Sequence, residues 1–244
     1  MEPAWERVSA GPLAGREILI DRRGNGAWDD MLSGRFDAEI YGVIAQSLPA
    51  RGGIVWDVGA HIGFHTLGFS AIGGATGRVV AFEPNPSNRD RLQQNLQKNP
   101  DLAARVEILS CALSDHNGQS LFGLSRDIDS GASSMSFLDS TTASTDPGTS
   151  AWDRIVVTVR TADALIQEGM PHPTVMKVDV EGAELLVLRG ATETIRMARP
   201  TVIVEAHSAR LAFEVHEWFR NQEYQVRLLA DLAPSRILLS AQPV

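Results

Sequence analysis

The carboxylates of Asp57, Glu83, Asp179, Glu181 and Glu205 and the imidazole of His207 stand at or just past the ends of short apolar runs. Acids and a histidine at strand ends can clamp hydroxyls, hold a cationic ligand and move a proton. The run Ile54-Val55-Trp56 closes in Asp57, and Gly59 and Gly63 follow, giving the pattern D-x-G-x-x-x-G. That pattern predicts a strand, a tight turn and a helix N-terminus. Gly59 lets the chain turn sharply, and Gly63 is expected to let a ligand approach the backbone. A dinucleotide turn reads G-x-G-x-x-G because a pyrophosphate must reach the helix. Here an acid precedes the glycines, which disfavours a pyrophosphate and suits a cation. The next apolar run, Val79-Val80-Ala81-Phe82, ends in Glu83, placed to accept both hydroxyls of a ribose. A ribose clamp, an acid for a cationic tail and no phosphate cradle together fit S-adenosylmethionine.

The later acids suggest catalysis. In Val175-Met176-Lys177-Val178-Asp179-Val180-Glu181 the charges recur at period two. If the strand persists, Lys177, Asp179 and Glu181 share one face. Buried charges need partners. Either a site at the strand end supplies them, or Lys177 neutralises the acids in a structural ion-pair network. Asp179 reads as functional and Lys177 as structural, while both readings stay open for Glu181. Glu205 and His207 lie two apart at the end of Thr201–Glu205. His207 is the expected base, because imidazole titrates near working pH. Asp179 and Glu205 orient it or take the proton themselves. The same two acids, at adjacent strand ends, could instead hold a divalent cation such as Mg²⁺ through oxygen ligands and acidify an acceptor hydroxyl.

Four blocks carry a resemblance: Asp57 to Thr66, Phe82-Glu83-Pro84-Asn85-Pro86, Lys177 to Glu184, and Pro200 to Glu205. Together they resemble the FkbM-type methyltransferases over about residues 36–221. The first block is shared by many methyltransferases, whereas K-x-D-x-E-G-A-E narrows the match. His61 departs from the pattern, the family having Asn there more often. The resemblance implies a class I methyltransferase-like Rossmann fold, with a mostly parallel seven-stranded sheet, helices on both faces and an antiparallel last strand. It implies an S-adenosylmethionine-dependent O-methyltransferase acting on a hydroxyl of a small molecule, such as a sugar, nucleoside or polyketide-type natural product. It also extends the cofactor-binding set to His61, Thr66, Asn85, Ala112 and Leu113, beside Asp57, Gly59, Gly63, Glu83 and Asp179. In this fold the loop after the third strand usually lies along the adenine, so Asp115 or a backbone group holds the exocyclic amine, or Asp115 merely starts the turn before Gly118. Ser133-Ser134-Met135 occupies the place of a small-Ser pair near the cofactor, or belongs to a low-complexity insertion.

The positioning elements follow from periodicity. Strands are expected at 17–21, 54–58, 78–82, 106–110, 155–160, 175–181, 201–205, 224–229 and 236–240, the last antiparallel to its predecessor. Helices are expected at 36–48, 63–73, 86–98 and 210–221, and another from Gly182-Ala183 with Leu185, Leu186, Leu188 and Ile195 as its core stripe. Asn85 and Pro86 punctuate the start of helix 86–98. Alternation of this kind implies a parallel sheet covered on both faces. Residues 1–53 form an extension over the site, 54–244 the methyltransferase domain, and 125–150 a lid-like loop or insertion. Tyr41 reads as a half-buried packing residue or else a pocket residue, His65 as a packing or solvent-facing residue, and His116, His172 and His216 as surface or packing residues.

Composition bounds the rest. A net charge of −8 argues against nucleic acid and against an anionic membrane surface. Neither an 18-residue apolar run nor a signal-peptide pattern is present. Cys111 stands alone, so the expected compartment is a reducing cytoplasm. The oligomeric state stays open, a homodimer included. Two rival readings remain: a nicotinamide-dependent oxidoreductase, which lacks a third glycine and a partnered tyrosine, and a non-catalytic S-adenosylmethionine-binding module.

Overall fold

A computed structural model describes residues 3–22, 27–50, 52–125, 137–138, 152–231 and 236–244. The chain opens with β1 (Ala4–Arg7) and β2 (Glu17–Ile20), an antiparallel pair, followed by helices α1 (Trp28–Ser33) and α2 (Ala38–Ser47). The core then alternates: β3 (Ile54–Val58), α3 (Phe64–Ile72), β4 (Arg78–Phe82), α4 (Pro86–Lys98), the short α5 (Pro100–Ala103) and β5 (Val106–Leu109). A side sheet intervenes, built from β6 (Ala112–Leu113), β7 (Gly118–Ser125), β8 (Phe137–Leu138) and β9 (Trp152–Arg160). The core resumes with α6 (Ala162–Gln167), β10 (Val175–Val178), α7 (Glu184–Arg189), α8 (Thr192–Ala198) and β11 (Thr201–Ala206). It closes with α9 (Ala209–Arg220), β12 (Tyr224–Asp231) and β13 (Ile237–Pro243).

The main sheet has seven strands in the order β12-β13-β11-β10-β3-β4-β5. Ladders within β11-β10-β3-β4-β5 are parallel, and β13 is antiparallel to both of its neighbours. Alternate residues of each strand feed opposite cores. Val55, Val79 and Ala81 join the cluster that packs beneath α2 and α3, while Trp56, Val80 and Met176 join the one beneath α7, α8 and α9. Both faces are covered, as the uninterrupted apolar runs require of parallel strands. The expected class I methyltransferase-like sheet is therefore the one observed.

Several boundaries move for physical reasons. The strand read as 175–181 ends at Val178, because Glu181 and Gly182 turn at φ 55° and 104°. The helix after Gly182 is broken at Gly190, where a Cβ would meet the Ser114 carbonyl oxygen at 1.9 Å. Its core stripe is Val187, Leu188, Ala191 and Ile195, and Leu185 and Leu186 are only half-buried. The strand expected at 155–160 is longer and pairs with β7 outside the main sheet. Most of 125–150, including Ser133-Ser134-Met135, lies outside the described residues. No described helix is long and apolar enough to cross a membrane.

Candidate active site

The turn after β3 is built on two left-handed glycines. Gly59 sits at φ 84°, and a Cβ there would lie 1.8 Å from the Asp179 carbonyl oxygen. Gly63 sits at φ 85°, and a Cβ there would lie 2.1 Å from Leu92 Cδ1. The space at Gly63 thus admits a helix side chain, not a ligand, which corrects the expectation for that residue. His61 also turns left-handed, at φ 52°, a conformation in which Asn, Asp and His are enriched among side chains. Its backbone N–H donates to Glu83 Oε2 at 2.8 Å, and the Asn85 N–H donates to Oε1 at 2.8 Å. Glu83 is thereby fixed at the mouth of β4, and burial pushes its carboxyl up to about 7 against those bonds.

Asp57 does not line the cavity. It is fully buried beneath the turn, accepting the Thr66 hydroxyl and pairing with Lys177 Nζ at 3.5 Å. Lys177 also pairs with Asp179 Oδ2 at 3.1 Å and donates to the Gly59 carbonyl at 3.3 Å. The acid expected to attract a cationic tail is instead the counter-charge of a buried lysine. Thr66 serves that same node. Asn85 caps α4 by accepting the Ser87 N–H, and Asp115 is an exposed residue paired with His116. None of Asp57, Gly63, Thr66, Asn85 and Asp115 lines the cavity at the strand ends, whereas Gly59, His61, Glu83, Ala112, Leu113 and Asp179 do.

That cavity has a volume of about 600 Å³. It opens at the carboxyl ends of β3, β4, β10 and β11, where the alternating topology places ligands. Trp28, Met31 and Phe36 of the N-terminal segment form one wall, and Glu181, Glu205 and His207 also line it. His207 is the hub of the acids. Its Nδ1 lies 2.8 Å from Glu184 Oε1, a fully buried carboxylate that also accepts the Val180 and Gly182 N–H groups. Nδ1 therefore carries the proton. Nε2 lies 3.3 Å from Glu181 Oε2 and 3.6 Å from both Asp179 Oδ1 and Glu205 Oε1.

Charge sets the titration of this group. Burial pulls the His207 imidazole down, but the Glu184 bond and the surrounding carboxylates outweigh it and lift it to about 9. This direction favours the imidazolium at neutral pH, where the sequence predicts a titration near working pH. Burial and neighbouring acids lift Glu181 to about 8, opposed by His207. Asp179 stays below the usual carboxylate range despite burial, because Lys177 and His207 face it. Burial and Asp179 raise Glu205, and Arg236 opposes them through a bidentate pair. Asp179, Glu205 and His207 each offer a ligand atom within 4.8 Å of the others, a donor set that fits a divalent cation.

Comparison with known proteins agrees with this geometry. A family model described as the methyltransferase FkbM domain matches residues 57–226. The chain belongs to the FkbM methyltransferase family. It is 32% identical over 187 residues to the hexuronic acid methyltransferase AglP of Haloferax volcanii, covering 71% of this chain and 69% of that protein. Among solved structures it is similar to an FkbM methyltransferase from Methylobacillus flagellatus, with a TM-score of 0.57 and 20% identity. That match covers 90% of this chain and 56% of the other, so the present chain spans little more than half of it. A putative rRNA methylase from Clostridium thermocellum shares the fold at a TM-score of 0.54 and 10% identity, over 85% of this chain and 94% of that one. Family membership leaves the nicotinamide-dependent reading without support. In this FkbM methyltransferase the sequence pattern gave no role to Glu184, Asp37, His65 or Arg236. Glu184 stood inside the K-x-D-x-E-G-A-E block, but its inward turn follows from the break after Val178. Asp37 and Arg236 lie outside any motif, and only the fold brings them together.

Proposed function

We propose that the protein is an S-adenosylmethionine-dependent O-methyltransferase whose acceptor is a hydroxyl of a small molecule, with a sugar favoured by the relative that is named for hexuronic acid. One observation carries this reading: Glu83 and the His207 cluster line a single cavity at the strand ends of a methyltransferase sheet. Glu83 Oε2 accepts one backbone N–H, and Oε1 accepts another together with a long 3.4 Å bond from the Asn88 amide, so acceptor capacity remains for ribose hydroxyls, chiefly on Oε2. Both Asp57 and Asp179 pair with Lys177, but Asp57 is buried beneath the turn while Asp179 lines the cavity beside Gly59, so Asp179 is the carboxylate better placed for the cofactor's cationic tail. Ala112 and Leu113 give the base an apolar wall.

S-adenosylmethionine supplies an activated methyl group, and the protein's task is alignment and proton removal. Glu184 fixes the His207 tautomer, which leaves Nε2 to take the acceptor's proton once that nitrogen is free. The resulting imidazolium is stabilised by Asp179, Glu181 and Glu205. A second reading uses the same nitrogen. Asp179, Glu205 and His207 would hold a divalent cation such as Mg²⁺, and the cation would acidify the acceptor hydroxyl. Full turnover after exhaustive chelation excludes that second reading.

The test is calorimetric titration of S-adenosylhomocysteine into the wild-type chain and Glu83→Ala, with NAD as control. Micromolar binding lost in the variant, with NAD silent, supports the cofactor and its ribose clamp. Absence of binding to the wild type sinks the reading. Release of S-adenosylhomocysteine with a panel of methyl glycosides and other hydroxylated acceptors then separates an enzyme from a binding module.

A further inference from the structure

Arg236 joins three distant parts of the chain. Its guanidinium donates to both oxygens of Glu205 at the end of β11 and, through one nitrogen at 2.8 Å, to both oxygens of Asp37 just before α2. It lies over the Phe36 ring at 5.0 Å and lines the cavity. Asp37 is 5% exposed and Glu205 equally so, and two buried carboxylates this close need a shared cation.

Asp37 is placed for this contact at a cost to its own helix. It stands at the N-cap of α2, where an Asp side chain normally accepts a helix N–H for about 1 kcal/mol. Here it makes no such bond and adopts φ 50°. Its carboxylate faces His65 Nε2 at 3.1 Å and Arg236 instead. His65 Nδ1 in turn meets the Tyr41 hydroxyl at 3.0 Å. Gly68 of α3 makes room for Tyr41, since a Cβ there would lie 2.6 Å from its ring. The N-terminal helices are thus seated on α3 by a chain of polar contacts ending at Glu205. Both Asp37 and Arg236 lie outside residues 57–226, so the connection belongs to the flanks of this chain and not to the matched domain.

We propose that Arg236 is a positioning residue: it turns Glu205 toward His207 and locks Asp37, with the wall formed by Trp28, Met31 and Phe36, over the Glu205 side of the cavity. The inference rests on the methyltransferase reading for the acceptor's place beside Glu205 and His207. Arg236 is suited to the task because its planar fork serves both carboxylates at once, which a lysine ammonium cannot do in this geometry.

The test compares the full chain with Arg236→Lys, Asp37→Asn and the double variant. Backbone hydrogen exchange across residues 38–47 is expected to speed up about tenfold in each single variant, and little more in the double, because both break the Asp37–Arg236 contact they share. S-adenosylhomocysteine affinity should stay within about threefold, since Glu83 is untouched. A crystal structure of Arg236→Lys should show the Glu205 carboxylate turned from His207. With an acceptor that the wild type turns over, kcat should fall about tenfold while KM for S-adenosylmethionine holds. Unchanged exchange at 38–47, an unmoved Glu205, or fully additive effects in the double variant would overturn the proposal. So would a parallel loss of cofactor affinity and global exchange protection, which marks a merely structural role. A wild type that fails to bind S-adenosylhomocysteine sinks the methyltransferase reading and leaves the exchange and crystal measurements to decide the clasp.

Discussion

At the scale of single residues, the site is governed by carboxyl groups whose affinity for protons is displaced. Glu83 is held at about 7 by burial. On the proposed clamp, ribose hydroxyls would donate to the ionised form, so affinity for S-adenosylhomocysteine should be flat above pH 7 and fall as pH drops through it. Calorimetry with S-adenosylhomocysteine from pH 8 to 5.5 reads this directly, and a tenfold loss per unit is the limiting slope. His207 behaves in the opposite sense. Its imidazole is lifted to about 9, and only the neutral form accepts a proton. With His207 as the base, kcat should climb between pH 7 and 9 and level off above it. His207→Gln should abolish the climb and cost about 10²-fold in rate. A cation on Nε2 would take the place of that proton, giving a flat profile and sensitivity to chelator.

At the scale of elements, the tight turns matter more than the helices they introduce. Gly59→Ala puts a methyl group against the Asp179 carbonyl in left-handed backbone. It should cost about 3 kcal/mol or more, read by urea denaturation, because neither strand end can retreat from a parallel ladder. Gly68→Ala offers a sharper test. Alanine gains about 1 kcal/mol of helix propensity over glycine, yet its methyl group collides with Tyr41. The single variant should be destabilised, and on a Tyr41→Ala background the same Gly68→Ala change should cost much less, a non-additivity read by urea denaturation. These contacts show what was legible beforehand. The apolar runs before Asp57, Glu83, Asp179 and Glu205 located the four strands, though the strand read as 175–181 ends three residues early, at Val178. The direction of each side chain was not legible. Asp57 and Asp179 follow apolar runs alike and both pair with Lys177, yet Asp57 is buried beneath the turn while Asp179 lines the cavity. Glu181 could not be placed by period two because the strand ends before it. Arg236 and Asp37 are 199 residues apart and carry no local signal that they meet.

At the scale of the whole molecule, the acidic cluster couples stability to pH. His207 is raised from its unfolded 6.5 to about 9, so its contribution is complete below 6.5 and lost as pH rises through 9. Glu181 is raised from 4.5 to about 8, so ionising it in the fold costs stability over that range. Both act in the same direction above neutrality. The melting temperature of the ligand-free protein should fall by roughly 5 °C or more between pH 6.5 and 9.5, and His207→Gln should flatten the fall. The position of β13 has a consequence for biosynthesis. It is the latest strand of the sheet to leave the ribosome, yet it seats between β11 and β12. Until residues 237–243 are free, β11 presents an open edge, and β12 has no partner in the sheet. A nascent chain stalled short of Ile237 should therefore be sensitive to protease and a client for chaperones, whereas a few more residues should render it resistant.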